Sequence, residues 1–111
     1  MILLLEYQDF TFKTAKYPDA GNGTLPALSY VALGLAGEAG EVANKVKKLL
    51  RDGDSDAKRL ELLDELGDVA WYLARACSEL GYGLDEVLAA NMSKLLSRLA
   101  RGTIAGSGDK R

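Results

Sequence analysis

The 111-residue sequence contains no histidine. That absence excludes Ser-His and Cys-His nucleophile pairs, histidine-ligated zinc and a histidine general base. Chemistry must run on carboxylates, lysine, arginine and tyrosine. There is one cysteine, Cys77, so no intrachain disulfide is available and nothing requires an oxidising compartment. The place of Cys77 in an apolar helical stretch predicts core packing. No long hydrophobic run occurs. The apolar stretch Ile2 to Leu5 is cut short by Glu6, too soon for a signal peptide or a membrane span. The expected location is the cytoplasm, with no membrane partner. Basic residues are not in excess. The formal charge of -2 argues against a stable nucleic-acid partner, which favours a basic surface. Strand-like alternation of apolar and polar residues is also missing.

What is present is helical periodicity. At 48% hydrophobic and 27% charged residues, the chain can build one folded domain and is too short for two. A first helix is expected from about Leu3 to Ala15. Pro18, Gly21, Asn22 and Gly23 mark a loop. Thr24 suits an N-cap and Pro26 a first turn, opening a second helix that runs to about Arg51. Its apolar stripe is Leu28, Val31, Leu35, Ala39, Val42, Val46 and Leu49. Asp52-Gly53 stops it, and Ser55 caps a third helix with the stripe Leu62, Leu66, Val69, Leu73, Ala76 and Leu80. A fourth helix begins near Leu84, carries Val87, Leu88, Leu95 and Leu99, and closes at Gly102. The fold class is therefore all-α, a four-helix bundle over residues 1–101. Residues 102–111 form a polar, glycine-rich tail, expected to fray.

One pattern occurs twice. Glu38 to Val42 reads E-A-G-E-V and Glu65 to Val69 reads E-L-G-D-V. Each is a pair of carboxylates three positions apart, which share one side of a helix. Helical angles place Glu38 and Glu65 at the edges of their apolar stripes, with Glu41 and Asp68 further round. Tyr72 and Glu61 join the same strip. Packed together, the two helices bring four carboxylates towards one spot. Such a cluster repels itself unless cations share it, and hard divalent ions such as Mg²⁺ prefer oxygen ligands. The pattern points to a metal-dependent enzyme acting on a phosphorylated substrate. Gly34, Gly37, Gly40 and Gly67 lie mid-helix, where each costs about 0.5–1 kcal/mol against alanine. They suit close approach of a substrate or another helix.

The fourth helix adds Asn91, an amide near the centre of an apolar stripe, flanked by Lys94 and Arg98. An amide and two cations beside an acidic cluster are what a phosphate chain requires. Simpler readings exist for each part. An acid pair can belong to a salt-bridge ladder, here with Lys45, Lys48 or Arg75. Asn91 can be a satisfied core amide or a contact between subunits. Trp71 and Tyr72 can be packing residues. Lys47, Arg51, Lys58 and Arg59 can be ordinary surface charge.

The combined pattern resembles the MazG-like all-α nucleoside triphosphate pyrophosphohydrolases. Their signature is two E-x-x-E/D pairs on adjacent helices. G-L-A-G-E-A-G-E-V at Gly34 to Val42 and L-L-D-E-L-G-D-V-A-W-Y-L at Leu62 to Leu73 are similar to the family pattern. N-M-S-K-L at Asn91 to Leu95 and R-G-T-I-A-G-S-G-D at Arg101 to Asp109 are similar to a subset of it. The resemblance implies that Glu38, Glu41, Glu65 and Asp68 are the catalytic metal ligands, for Mg²⁺ or for Mn²⁺ in its place. It implies cleavage of a nucleoside triphosphate between its α- and β-phosphates, giving monophosphate and pyrophosphate. It also implies a homo-oligomer, dimer or tetramer, that completes the bundle.

The residues suit that chemistry. Phosphoryl transfer needs in-line positioning and charge neutralisation more than covalent help. Lys94, Arg98 and Lys48 are expected on phosphate oxygens, and Asn91 on the sugar or a phosphate. Tyr72 or Trp71 is expected on the base. Glu38 or Glu41 is expected to accept the proton of the attacking water. The tail from Thr103 to Asp109 is expected to close over the phosphates with backbone N–H groups. The alternatives are a related enzyme of the same bundle on another nucleotide, such as phosphoribosyl-ATP, and a non-catalytic nucleotide-binding helical module.

Overall fold

Four helices begin and end where terminal residues satisfy the backbone. The computed structural model describes residues 1–111. Helix α1 spans Leu4–Thr14, and the Leu3 N–H before it donates to Glu6 Oε2 at 3.3 Å. Helix α2 spans Leu25–Asp52; the Thr24 hydroxyl accepts from the Ala27 N–H, and Pro26 sits in the first turn. Helix α3 spans Asp56–Glu79, with the Ser55 hydroxyl accepting from the Lys58 N–H. Helix α4 spans Leu84–Arg101 and ends at Gly102 in the left-handed region, φ 71°. The caps are those expected from the sequence, and no strand is present.

The three residues from Gly53 to Ser55 turn α2 back on α3 as an antiparallel hairpin. The 28 residues of α2 run for about 42 Å, nearly the full breadth of a molecule that measures 43 × 43 × 30 Å. Helix α1 packs on α3, and α4 packs on α1 and α3. Helix α2 touches α3 alone. No helix is long and apolar enough to cross a membrane.

The apolar core is thin. One cluster joins Ala15, Tyr17, Ala27 and Val31, with Leu28, Trp71, Tyr72 and Ala76 against it. A second joins Ala74, Cys77 and Leu84, with Tyr7 and Leu73. Cys77 is buried as expected. Several stripe positions are not: Val46, Leu66, Leu80, Val87, Leu88, Leu95 and Leu99 all lie exposed. The periodicity marked the right faces, but within one chain nothing covers the outer hairpin or the far half of α4. The radius of gyration is 16.7 Å, against about 13 Å for a compact chain of this length.

Polar groups do much of the joining. Glu79, fully buried, accepts from the Tyr17 hydroxyl and from the N–H groups of Gly21 and Gly23 at 2.8 and 2.9 Å. Arg75, also buried, donates to Glu79 and to the Tyr17 hydroxyl, and reaches the Thr11 hydroxyl. This network pins the α1–α2 loop to α3. Gln8 does the same for the α3–α4 turn: its amide donates to Ser78 Oγ and Tyr82 O, and its carbonyl accepts from the Leu84 N–H.

The tail departs from expectation. It folds back on the end of α4 and does not fray. Arg111 donates to the carbonyls of Thr103, Ile104 and Gly108, and Arg98 reaches the carbonyl of Asp109. Arginines capture the carbonyls that a short, strandless segment leaves without partners.

Candidate metal and substrate site

The hairpin aligns the two acid pairs across one groove. Glu65 and Asp68, three residues apart on α3, project from the same face. Glu38 meets them from α2. One carboxylate oxygen from each of Glu38, Glu65 and Asp68 lies within 4.8 Å of the others. Glu38 and Glu65 are half-buried and Asp68 is exposed. Partial desolvation, then the charge of Asp68 and the hydrogen bond and charge of Glu65, push the Glu38 carboxyl above the ordinary glutamate range. One cation attends the group: Lys45 Nζ lies 3.4 Å from Glu65 and 3.9 Å from Glu61. A salt-bridge ladder therefore exists here, but it reaches Glu65 only and leaves Glu38 and Asp68 without a counter-ion. Arg75 belongs to Glu79 instead.

The expected fourth carboxylate, Glu41, is exposed and stands outside the group. It lies one helical turn on and about 60° round from Glu38, on the solvent side of the groove.

A cavity of about 290 Å³ adjoins the acids, lined by Thr14, Glu38, Asp68, Trp71 and Tyr72. The Trp71 indole N–H donates to Thr14 Oγ at 2.8 Å. Tyr72 meets Trp71 edge to face at 5.0 Å between ring centres. Its ring also covers the bare Cα of Gly34, where a Cβ would collide with it. Behind them Tyr17 stacks on Tyr30, centres 5.0 Å apart, and meets Trp71 edge-on. Trp71 and Tyr72, predicted as base contacts, thus stand beside the acids. Thr14 was not predicted. Its helix carries no acid motif, and only the docking of α1 on α3 brings it to the cavity.

The α4 residues lie elsewhere. None of Asn91, Lys94 and Arg98 lines the cavity beside the acids, and α4 touches α1 and α3 but not α2. Asn91 lines an apolar cavity of about 440 Å³ with Leu88, Met92, Leu95, Leu99 and Ile104. Lys94 is exposed, and Arg98 is buried against the tail. Lys48 lies at the turn end of the hairpin. There it lines a cavity of about 200 Å³ with Lys45, Leu49, Asp52, Lys58 and Glu61.

The donor set fits a hard divalent cation. Three carboxylates converge with a single lysine nearby, and only Glu65 of the three is paired with it. Oxygen-only ligands suit Mg²⁺ or Mn²⁺ and argue against zinc.

Comparison with known proteins agrees with this geometry. The MazG nucleotide pyrophosphohydrolase domain matches residues 28–101, a span that holds both acid pairs and Asn91, Lys94 and Arg98. The Gene 37 protein of Mycobacterium phage L5 is similar to this chain, 50% identical over 109 residues, covering 95% of this chain and 96% of that protein. No solved structure matches. On the domain match and on the convergence of Glu38, Glu65 and Asp68, the chain belongs to the MazG nucleotide pyrophosphohydrolase family.

Proposed function

We propose that the protein is a Mg²⁺-dependent hydrolase that cleaves nucleoside triphosphates between the α- and β-phosphates, releasing monophosphate and pyrophosphate. The observation that carries this reading is the convergence of Glu38, Glu65 and Asp68 within 4.8 Å beside an aromatic-walled cavity. Those three carboxylates would hold the cation, with Glu41, one turn on along α2, as the fourth ligand. When bound, Mg²⁺ neutralises charge on the phosphoryl oxygens and makes water more acidic. Glu38 or Glu41 accepts the proton of the attacking water. Trp71 and Tyr72 contact the base, with Thr14 beside them. Lys48 lies on the phosphate side. Arg98, committed to the tail, takes no part in this reading.

Asn91 and Lys94 do not line the cavity beside the acids of their own chain, and in this reading they serve the groove of a second copy. A homo-oligomer, dimer or tetramer, is therefore part of the proposal. The chain exposes 7744 Å², whereas a compact monomer of this mass exposes about 5,900 Å². The difference of about 1,800 Å² exceeds the ~800 Å² per partner of a standard interface.

The test is pyrophosphate release from a panel of ribo- and deoxyribonucleoside triphosphates, with Mg²⁺ or EDTA. Release should require Mg²⁺ and fall at least about a hundredfold in Asp68→Asn, the scale on which groups handling charge and protons act. Metal-independent release, or full activity in the variant, sinks the reading. Turnover of phosphoribosyl-ATP alone would move the substrate, and triphosphate binding without turnover would make the chain a binding module.

A further inference from the structure

The groove between α2 and α3 changes character along its length. Helical geometry places Gly34, Glu38, Glu41, Lys45 and Lys48 in one strip of α2. It places Lys58, Glu61, Glu65, Asp68 and Tyr72 in the facing strip of α3. From one end to the other the groove therefore runs aromatic, acidic, basic. Trp71 and Tyr72 wall the first part. Glu38, Glu65 and Asp68 form the second. Lys45, Lys48 and Lys58 line the third, in the cavity of about 200 Å³ near the hairpin turn.

Three lysines line that cavity with two carboxylates, Asp52 and Glu61. Arg51 and Arg59 are spoken for, by Asp52 at 2.7 Å and by Asp54. Lys48 and Lys58 form no ion pair, although both face the cavity. Lys58 is steadied by its hydrogen bond to the Gly53 carbonyl at 3.1 Å. The Asp52 carboxyl is held below the ordinary range, first by the hydrogen bond from Arg51 and then by the charges of Lys58 and Lys48. Lys45 leans on Glu65, one of the three converging carboxylates. Any cation that takes Glu65 competes with Lys45 for it and frees the ammonium to turn towards the cavity.

The cavity has room for about six waters, enough for a small anion. The Lys45 backbone lies about 10 Å along α2 from that of Glu38, and its side chain spans the gap to Glu65. Lys48 lies about 15 Å along α2 from Glu38, and helical side chains tilt towards the N-terminal end of the helix, so both lysines lean towards a phosphate chain held at the acids.

We infer that this lysine pocket binds the β- and γ-phosphates of the substrate, and hence the pyrophosphate product, with Lys45, Lys48 and Lys58 as the cationic contacts. The substrate would lie along the groove in one polarity, base at the Trp71 end and terminal phosphate at the hairpin turn. The scissile α–β bridge then sits over Glu38, Glu65 and Asp68. This rests on the hydrolase reading for its meaning, but the anion site can be tested apart from it.

The probe is inorganic pyrophosphate, titrated calorimetrically in Mg²⁺ into the whole protein. Wild type should bind it, and the double variant Lys48→Ala/Lys58→Ala should bind at least tenfold more weakly. Lys47→Ala removes the same charge from α2, about 180° round from Glu38, and should bind as wild type does. All forms should keep the same rise in Tm with Mg²⁺ alone, showing that fold and carboxylate group are intact. Equal binding by the double variant and wild type would overturn the inference. So would an equal loss in Lys47→Ala, which would indicate bulk charge, or no binding by wild type. If wild type binds pyrophosphate as described but hydrolyses no triphosphate, the hydrolase reading fails and the anion site stands.

Discussion

Gly34 shows how one residue ties the frame of the site to its chemistry. It sits mid-helix, where a glycine costs about 0.5–1 kcal/mol relative to alanine, and its backbone is ordinary helix. Replacing it with alanine should therefore stabilise the chain, were it not for the Tyr72 ring, which occupies the space that the new Cβ needs. Overpacking of this kind costs about 1–3 kcal/mol, which outweighs the gain in propensity. Gly34→Ala should lower stability by about 1 kcal/mol net and push Tyr72 off the rim of the cavity. Thermal unfolding reads the first effect, and the KM of the triphosphate the second. A rise in Tm would show that Tyr72 does not rest there. The acids were legible in the sequence because the repeated E-x-x-E/D spacing survives without any knowledge of neighbours. Gly34 was visible only as an anomaly, since its partner lies 38 positions away on another helix. Thr14 left no signal at all.

Helix ends were equally legible, because caps are local: Thr24, Ser55, Gly53 and Gly102 each act within four residues of themselves. The connections between elements were not. Arg75 and Glu79, four apart on α3, are both buried and hold the α1–α2 loop to α3, a role that the local pattern does not reveal. Burial raises the Glu79 carboxyl, but the hydrogen bonds from Tyr17, Gly21 and Gly23 and the charge of Arg75 outweigh it, so its pKa lies below the ordinary glutamate value. Removing one member of a buried pair strands the other, and Glu79→Gln should cost about 3 kcal/mol. The pH dependence follows in sign. With a folded pKa below the unfolded one, the unfolded chain takes up the proton first as pH falls. The stabilisation by Glu79 is therefore complete above the ordinary glutamate range and lost as pH drops through the depressed value. Wild type should lose stability across that acid window, and Glu79→Gln should lose correspondingly less. Urea unfolding at several pH values measures both slopes; parallel slopes would remove Glu79 from the acid transition.

At the scale of the whole molecule, the apolar stripes exceed what one chain covers. Val46, Leu66, Leu88, Leu95 and Leu99 were expected in a core and are exposed, so the pattern encodes more contacts than one chain makes. The outward face of α2 adds to this. Leu33, Ala36, Gly37, Gly40 and Ala43 are all exposed, and a Cβ at Gly37 or Gly40 would meet nothing within the chain. In a lone chain those two glycines would be pure cost, about 0.5–1 kcal/mol each. In an assembly they allow a second helix to approach closely. The two cases make opposite predictions for one variant. Gly37→Glu/Gly40→Glu should raise the stability of a monomer, since glutamate is the better helix former and both positions face open space. In an oligomer that buries this face it would place two carboxylates in an apolar contact, where an unpaired charge is strongly disfavoured. We expect wild type to sediment as a dimer or tetramer, and the double variant to shift towards monomer and lose Tm. Since Asn91 and Lys94 do not line the acidic cavity of their own chain, the same variant should lose turnover in step with its loss of mass, recovering as protein concentration rises. A variant that becomes monomeric and keeps full activity would place the complete site within one chain, and would remove the α4 residues from it.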